Sequence, residues 1–450
     1  MLGFKGCDFH LAYDSPVFIA KGRRPTIETK ALPGGGGWQR RHTVVLLCFF
    51  STLICYIDRV NISVAIIPMA DHFGWSDTER GLVLSSFFVG YLVTQVAGGS
   101  LAARFGGKVV LGFGVLWWSL FTLLTPLSAM TSFPVLIAAR ILMGIGEGVA
   151  FPATYNLLGR WVPLKERSRA AAFNLSAISM GTLLAVSTTP FIILAFGWEA
   201  VFYLFGATGF IWFLFWWPLA GDRPSRPLDP DVGALTAGSG TAPERDNEGI
   251  PWRRILEKRE VWAIIIAHFS NNWGLYVLLA WLPSYFSSQL GVNLRAVWLY
   301  ISLPWIANFI MGNVAGWLAD RMIASGYSVT FVRKAMQVVG SGAPAIALVL
   351  LADTQSTLVA VTLLTLAIGL AAFSFAGFAS NHLDISPRHA GAIFGISNTA
   401  GTLPGIIGVA LTGFLVDATG SYASAFYVTA GVYLVGLLVY LVFGSGRKII

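Results

Sequence analysis

The sequence predicts an all-α membrane protein: twelve transmembrane helices in two six-helix repeats, with both termini on the cytoplasmic side. Three observations predict it. Hydrophobic residues make up 55% of the 450 positions and charged residues only 12%, with mean hydropathy +0.69, whereas a soluble domain carries about twice that charge fraction. The apolar residues gather into twelve runs, each close to the ~20 residues that a helix needs to cross a bilayer. One short motif recurs at the same place in each half of the chain.

So little polar surface excludes a typical cytosolic enzyme, a disordered chain and a secreted module. Of the three cysteines, Cys48 and Cys55 lie in an apolar run, so with Cys7 they imply no disulfide framework. The net charge is +8 and the pI about 9.5. In a soluble protein that balance would suggest nucleic acid. Here the basic residues cluster between apolar runs and read as a topology signal, with no nucleic-acid partner.

The runs span 43–66, 80–101, 109–129, 134–158, 170–192 and 198–219 in the first half. In the second half they span 261–283, 295–318, 334–352, 357–380, 389–416 and 422–444. Helices are the physical reading, because an unpaired backbone group in lipid costs several kcal/mol. A barrel would show short alternating segments, and these runs are continuous. Basic residues fill every second connection: Arg40 and Arg41, Arg104 and Lys108, Arg160 to Arg169, Arg223 to Arg259, Arg321 to Lys334, Arg388, then Arg447 and Lys448. The alternate connections are nearly free of base, with Arg80 and Arg295 as exceptions. This bias places both termini in the cytoplasm or its equivalent.

The domain division follows: a cytoplasmic tail over 1–42, a six-helix bundle over 43–219, a linker over 220–260, a second bundle over 261–444 and a short tail over 445–450. The stretch Asp222 to Gly249 is rich in Pro, Gly, Ser and mixed charge, the composition of a flexible connector. The first 42 residues lack the apolar stretch of a signal peptide and carry Asp8, Asp14 and Glu28; they read as a disordered tail rather than a transit peptide. The repeat is Gly99-Ser-Leu-Ala-Ala-Arg104 against Gly316-Trp-Leu-Ala-Asp-Arg321, an offset of 316 − 99 = 217 residues. Each copy ends the second helix of its half. Two parallel repeats around a cavity form the frame of an alternating-access carrier.

Ionisable groups within a span cost roughly 2.5–3.5 kcal/mol each, which makes them functional candidates. The first helix carries Tyr56-Ile-Asp58-Arg59 and the fourth carries Arg140 and Glu147. Counting the helical rise from the predicted helix ends puts Arg59 about 12 Å and Arg140 about 9 Å from the same side, at one level. Arg140 and Glu147 share a face two turns apart, and Tyr56 shares a face with Arg59. Two arginines offer forked donors of fixed charge to a carboxylate or phosphate. A buried acid set between desolvation and an arginine can take and release a proton as that arginine is engaged by substrate or freed. The plainer reading is that the four charges neutralise one another and pin the two helices together.

Tyr91, Gln95, His268, Asn271, Asn272, Asn308, Asn313 and the stretch Ser397 to Thr402 are intramembrane polar positions of a kind that more often join helices than bind ligand. The glycines at 144, 146 and 148, and at 401, 405 and 408, suit close helix packing. No Walker sequence precedes a helix, so ATP is not the expected energy source. No metal-spaced His/Cys cluster or nucleophile triad stands out.

Several segments resemble the anion:cation symporter family of the major facilitator superfamily. They are Tyr56-Ile-Asp-Arg-Val-Asn-Ile-Ser63, Ser86 to Gln95, Ala139 to Gly148, His268-Phe-Ser-Asn-Asn-Trp273, Gly316 to Arg321 and Gly395 to Gly401. They run from the first helix to the eleventh. The resemblance implies a major facilitator fold and roles for named positions. Arg59 and Arg140 would serve the anion, and Asp58 and Glu147 would carry protonation. Tyr56, Tyr91 and Asn398 would touch substrate. The motifs containing Gly99 and Arg104, and Gly316, Asp320 and Arg321, would be cytoplasmic latches. Ala103 departs from the acid usual in the first latch, which predicts weaker closure at that end. Leu84 and Asn271 depart from the His and Arg of vesicular glutamate carriers, which argues against that branch.

The expected function is therefore secondary active symport of a small anion, an organic or sugar acid or inorganic phosphate, coupled to H+ or Na+, with no catalysis and no cofactor. The alternative is a transport-inactive sensor of the same fold. The expected partners are the substrate and the bilayer, the expected state a monomer, and the expected location the plasma or bacterial inner membrane ahead of a plastid envelope or other organelle.

Overall fold

The computed structural model describes residues 39–223 and 251–449. The tail expected at 1–42, apart from its last four residues, and most of the linker expected at 220–260 lie outside the described residues.

Twelve helices long and apolar enough to cross a membrane are present among the described residues. In the first half they are α1 (Arg40–Phe73), α2 (Asp77–Phe105), α3 (Gly107–Thr131), α4 (Phe133–Trp161), α5 (Leu164–Phe196) and α6 (Trp198–Leu219). In the second they are α7 (Arg259–Gln289), α8 (Leu294–Ala324), α9 (Val329–Ala352), α10 (Thr357–Ile385), α11 (Ala390–Thr419) and α12 (Ala423–Phe443). Each coincides with one predicted run. Several overrun it: α1 continues to Phe73 where the apolar run ends at 66, and α7 and α8 each extend by about a turn and a half. The apolar run measures hydrocarbon depth, whereas helix ends are set by caps. Gly74 ends α1 in the left-handed region at φ 70°. Ser76 and Glu79 then start α2 through a reciprocal capping box.

Two spans are interrupted where a proline removes a backbone donor. α4 loosens at Gly148–Val149, four residues before Pro152, and α11 at Gly401–Thr402, just before Pro404. Gly405 N–H bonds Thr402 O at 3.0 Å rather than Gly401 O, and the freed Gly401 carbonyl accepts Asn272 Nδ2 at 2.8 Å. α7, α9 and α10 each contain one π-helical turn, at Tyr285–Gln289, Val338–Gly342 and Phe375–Ala379.

α2 and α11 pack closely over the end that starts at Asp77. A Cβ on Gly81 would meet Ala410 O at 3.2 Å, and one on Gly413 would collide with Asp77 O. The Asp417 carboxylate accepts the Asp77 and Thr78 N–H groups at 2.9 and 2.6 Å, satisfying two orphan donors of the first turn of α2. Arg80, the basic exception among the acidic connections, is neutralised here by Asp77 at 3.1 Å and Asp71 at 3.8 Å. The ends of α2 and α8 that carry the repeated motif are open. A Cβ added at Gly99 or Gly316 would meet no neighbouring atom within 4 Å. Ala103, Arg104, Asp320 and Arg321 are exposed. Arg104 and Arg321 lie over their own helices' Phe105 and Trp317, at 5.2 and 5.4 Å. The structure thus does not bring the two latch motifs into contact with each other.

The corner beside Ala103 does hold an acid, supplied by a segment beyond α6. Asp222 Oδ1 accepts the Lys108 N–H at 2.8 Å at the start of α3 and lies against Gly106. This contact stays within the first half of the chain.

Asp417→Ala is expected to loosen the closed end. Two charge-assisted bonds are worth roughly 1.5–3 kcal/mol each when buried and less at an exposed carboxylate. Spin labels at the exposed Leu82 and Phe414 should report a longer or broader distance distribution in the variant. An unchanged distribution would assign closure to the glycine packing alone.

Candidate functional site

α2 and α4 approach to backbone contact because Gly90, Gly144 and Gly148 offer no side chain. A Cβ on any of them would collide with Ile141 O, Phe87 O or Thr94 Oγ1. The close approach brings Phe87 and Tyr91 of α2 against the charged face of α4, and α1 supplies Cys55, Tyr56, Asp58 and Arg59. All four charged groups are withdrawn from solvent: Asp58 and Glu147 are 0% exposed, Arg140 2% and Arg59 7%.

Arg59 and Glu147 form one bonded unit. Arg59 Nε and Nη2 donate to Glu147 Oε2 at 3.0 and 2.8 Å, and the Cys55 thiol donates to the same oxygen at 3.2 Å. The guanidinium is boxed by rings, with its carbon 4.7 Å from the Tyr56 centroid, 4.9 Å from Phe87 and 4.7 Å from Tyr91. Tyr276 of α7, on the second half of the chain, packs against Phe88 at 4.6 Å and is close enough to interact with Arg59.

Arg140 is different. It is within 4.0 Å of no carboxylate among the described residues. Its Nη1 donates to Met143 Sδ at 2.8 Å, its carbon lies 5.7 Å from the Phe87 ring, and its Nε is buried without a partner. Asp58 lies wholly buried beside the Trp118 indole N–H, and its charged neighbours are Glu147 and Arg140. A thioether accepts weakly, so Arg140 is a buried guanidinium with donor capacity to spare.

The two guanidiniums lie close together, both against the one Phe87 ring. Arg59 stands farther from its helix end than predicted. With α1 extending to Phe73, fourteen residues separate the two, about 21 Å of rise rather than 12. α1 continues seven residues past the apolar run, so the distance to the helix end differs from the distance to the end of the run.

Of the other predicted positions, Tyr56 and Tyr91 flank Arg59 directly. Asn398 does not join them. It sits half-buried on α11, where its carbonyl accepts the Thr402 hydroxyl at 2.9 Å. The weaker polar positions mostly join helices: His268 Nδ1 lies 3.2 Å from Ser397 Oγ, Asn308 Nδ2 donates to Ile368 O at 2.7 Å, and Asn313 Nδ2 bonds its own helix at Phe309 O. The Thr402 hydroxyl also lies 2.9 Å from Gln95 Oε1, linking α11 to α2 beside both helix interruptions. Sequence reasoning missed Cys55, Phe87, Met143, Tyr276 and Asp417. Cys55 and Met143 had a legible signal, since each lies one turn from an arginine on its own helix. Phe87, Tyr276 and Asp417 had none.

The family model of the Major Facilitator Superfamily matches residues 48–409. The chain belongs to the Major Facilitator Superfamily. A solved structure of a D-xylose–proton symporter shares the fold at TM-score 0.74 and 17% identity, covering 91% of this chain and 100% of that one. The chain is 45% identical over 419 residues to an ascorbate transporter, chloroplastic, of Arabidopsis thaliana, covering 92% of this chain and 77% of that protein. It is 44% identical over 421 residues to sodium-dependent phosphate transport protein 1, chloroplastic, of Arabidopsis thaliana, covering 93% and 82%. This facilitator is therefore a multi-pass membrane transporter and not an enzyme.

Proposed function

We propose that this facilitator is a cation-coupled symporter of a small anion, an organic or sugar acid or inorganic phosphate, working by alternating access. The observation that carries the reading is the inequality of the two buried arginines. Arg59 is neutralised by Glu147 and Arg140 is bonded to no carboxylate. A buried guanidinium whose N–H groups are not taken up by a carboxylate is an attractor for an anion. The arriving charge competes for Arg59, frees Glu147, and so ties anion binding to the uptake of H+ or Na+. The closed Asp77 end and open Arg104 end fit one state of such a cycle. Basic connections assign the open end, with both termini, to the cytoplasmic or stromal side.

The relatives that carry anions are named as chloroplastic. We therefore place the protein in a plastid membrane and set aside the plasma or bacterial inner membrane that the sequence alone favoured.

The test is uptake by proteoliposomes holding the full chain, offered phosphate, ascorbate, a hexonate, a dicarboxylate and glutamate under imposed pH or sodium gradients. The expected result is gradient-stimulated uptake of at least one anion. Uptake of none, or uptake indifferent to both gradients, would retire the symport reading.

A further inference from the structure

We propose that Cys55 is a positioning residue of the coupling site: the neutral donor that keeps the Glu147 carboxylate against α1 while Arg59 turns to an anion. The inference rests on the reading above, in which Glu147 and Arg59 couple cation to substrate.

All of Glu147's bonds converge on one oxygen. Oε2 receives Arg59 Nε at 3.0 Å, Arg59 Nη2 at 2.8 Å and the Cys55 thiol at 3.2 Å. Oε1 is buried and has no partner. Cys55 stands one helical turn before Arg59, so thiol and guanidinium share a face of α1. Arg59 Nη2 lies 3.6 Å from Cys55 Sγ, so the three groups form a closed triangle. Cys55 is 1% exposed. The groups facing Glu147 are Cys55, Asp58 and Arg59 from α1, Tyr91 from α2 and Arg140 on its own helix.

The chemistry separates the donors. An N–H of Arg59 that bonds an arriving anion no longer bonds Glu147. The carboxylate then loses two charged donors in a buried site. The thiol stays, because its side chain is too short to follow the substrate. A thiol is a weak donor, so it fixes the orientation of the carboxylate without locking it in one charge state. Arg140 makes no hydrogen bond to Glu147, and in the reading above its free donors go to the anion, so it does not fill this role.

The experiment compares Cys55→Ala, Cys55→Val and Cys55→Ser with wild type in proteoliposomes, with Glu147→Gln run alongside. Counterflow reads exchange, and gradient-driven uptake is followed across pH and, in parallel, across sodium concentration. Cys55→Ala and Cys55→Val remove the donor, and valine keeps the volume should alanine not fold. Both are expected to displace the cation dependence of uptake, read relative to each variant's own maximal rate, by about threefold in concentration, the effect of one weak hydrogen bond. Cys55→Ser, which restores a donor, is expected to return the curve toward wild type. Curves that superimpose on wild type, or that fall in height without displacement, would overturn the proposal and leave Cys55 as packing. Serine displaced as far as alanine would do the same. Continued accumulation by Glu147→Gln would instead overturn the coupling reading itself, so the two failures are distinguishable.

Discussion

Arg59→Lys is expected to cut anion uptake by about tenfold or more while leaving the protein folded. Charge is kept, but the fork is not. Arg59 uses two of its nitrogens on one Glu147 oxygen, and its plane lies among three aromatic rings. A lysine ammonium is a point donor that cannot make the paired contact or stack as a plane. Losing one charge-assisted bond of roughly 1.5–3 kcal/mol corresponds to a factor of ten or more. Arg140→Lys is expected to fail similarly for a different reason. Arg140 is bonded to no carboxylate, so its loss falls on the anion it would receive rather than on a bond already made. The measurement is the initial rate of uptake in proteoliposomes at matched protein. Near-normal rates in both variants would remove the arginine pair from the site.

Glu147→Gln is expected to leave substrate exchange intact and abolish accumulation against a gradient. The amide can still accept from Arg59 but holds no exchangeable charge. Exchange needs only that the loaded carrier reorient, whereas accumulation needs a group that binds and releases the driving cation. The variant should also lose stability, because a buried guanidinium left without its counter-ion costs about 3–5 kcal/mol. Counterflow and pH- or sodium-driven uptake of the same preparation separate the two effects, and a melting curve reads the third. A variant that still concentrates substrate would move the coupling role to Asp58, whose carboxyl is wholly buried. Asp58→Asn would then be the uncoupled variant.

The helices were legible because bilayer thickness is a one-dimensional constraint. It writes itself into run length, and every predicted run became a helix. Their ends were less legible. The Gly74 turn and the Ser76 box lie outside the apolar runs, so hydropathy could not see them. The interruptions at Gly148 and Gly401 had a signal in Pro152 and Pro404, but a proline alone does not say whether a helix bends, breaks or passes through. Pro68 sits inside an unbroken α1, and Pro404 follows a break in α11. In α11 a neighbour takes up the freed carbonyl, Asn272 bonding Gly401, a contact that the proline itself does not announce.

The sequence by itself determined the lipid-spanning architecture, the repeat and the identity of the four intramembrane charges. Each of these follows from composition along a line: hydrocarbon tolerates no loose backbone and few charges, so helices and buried ionisable groups announce themselves. Only the tertiary structure decided the pairing. Nothing in the spacing of Arg59, Arg140, Asp58 and Glu147 says that Glu147 bonds Arg59 and leaves Arg140 to a thioether. That choice depends on the crossing of α1, α2 and α4, set by glycines that let two backbones touch. The same holds for the gate. Asp417 and Asp77 stand far apart in the chain, and only folding brings a carboxylate to the orphan donors of α2.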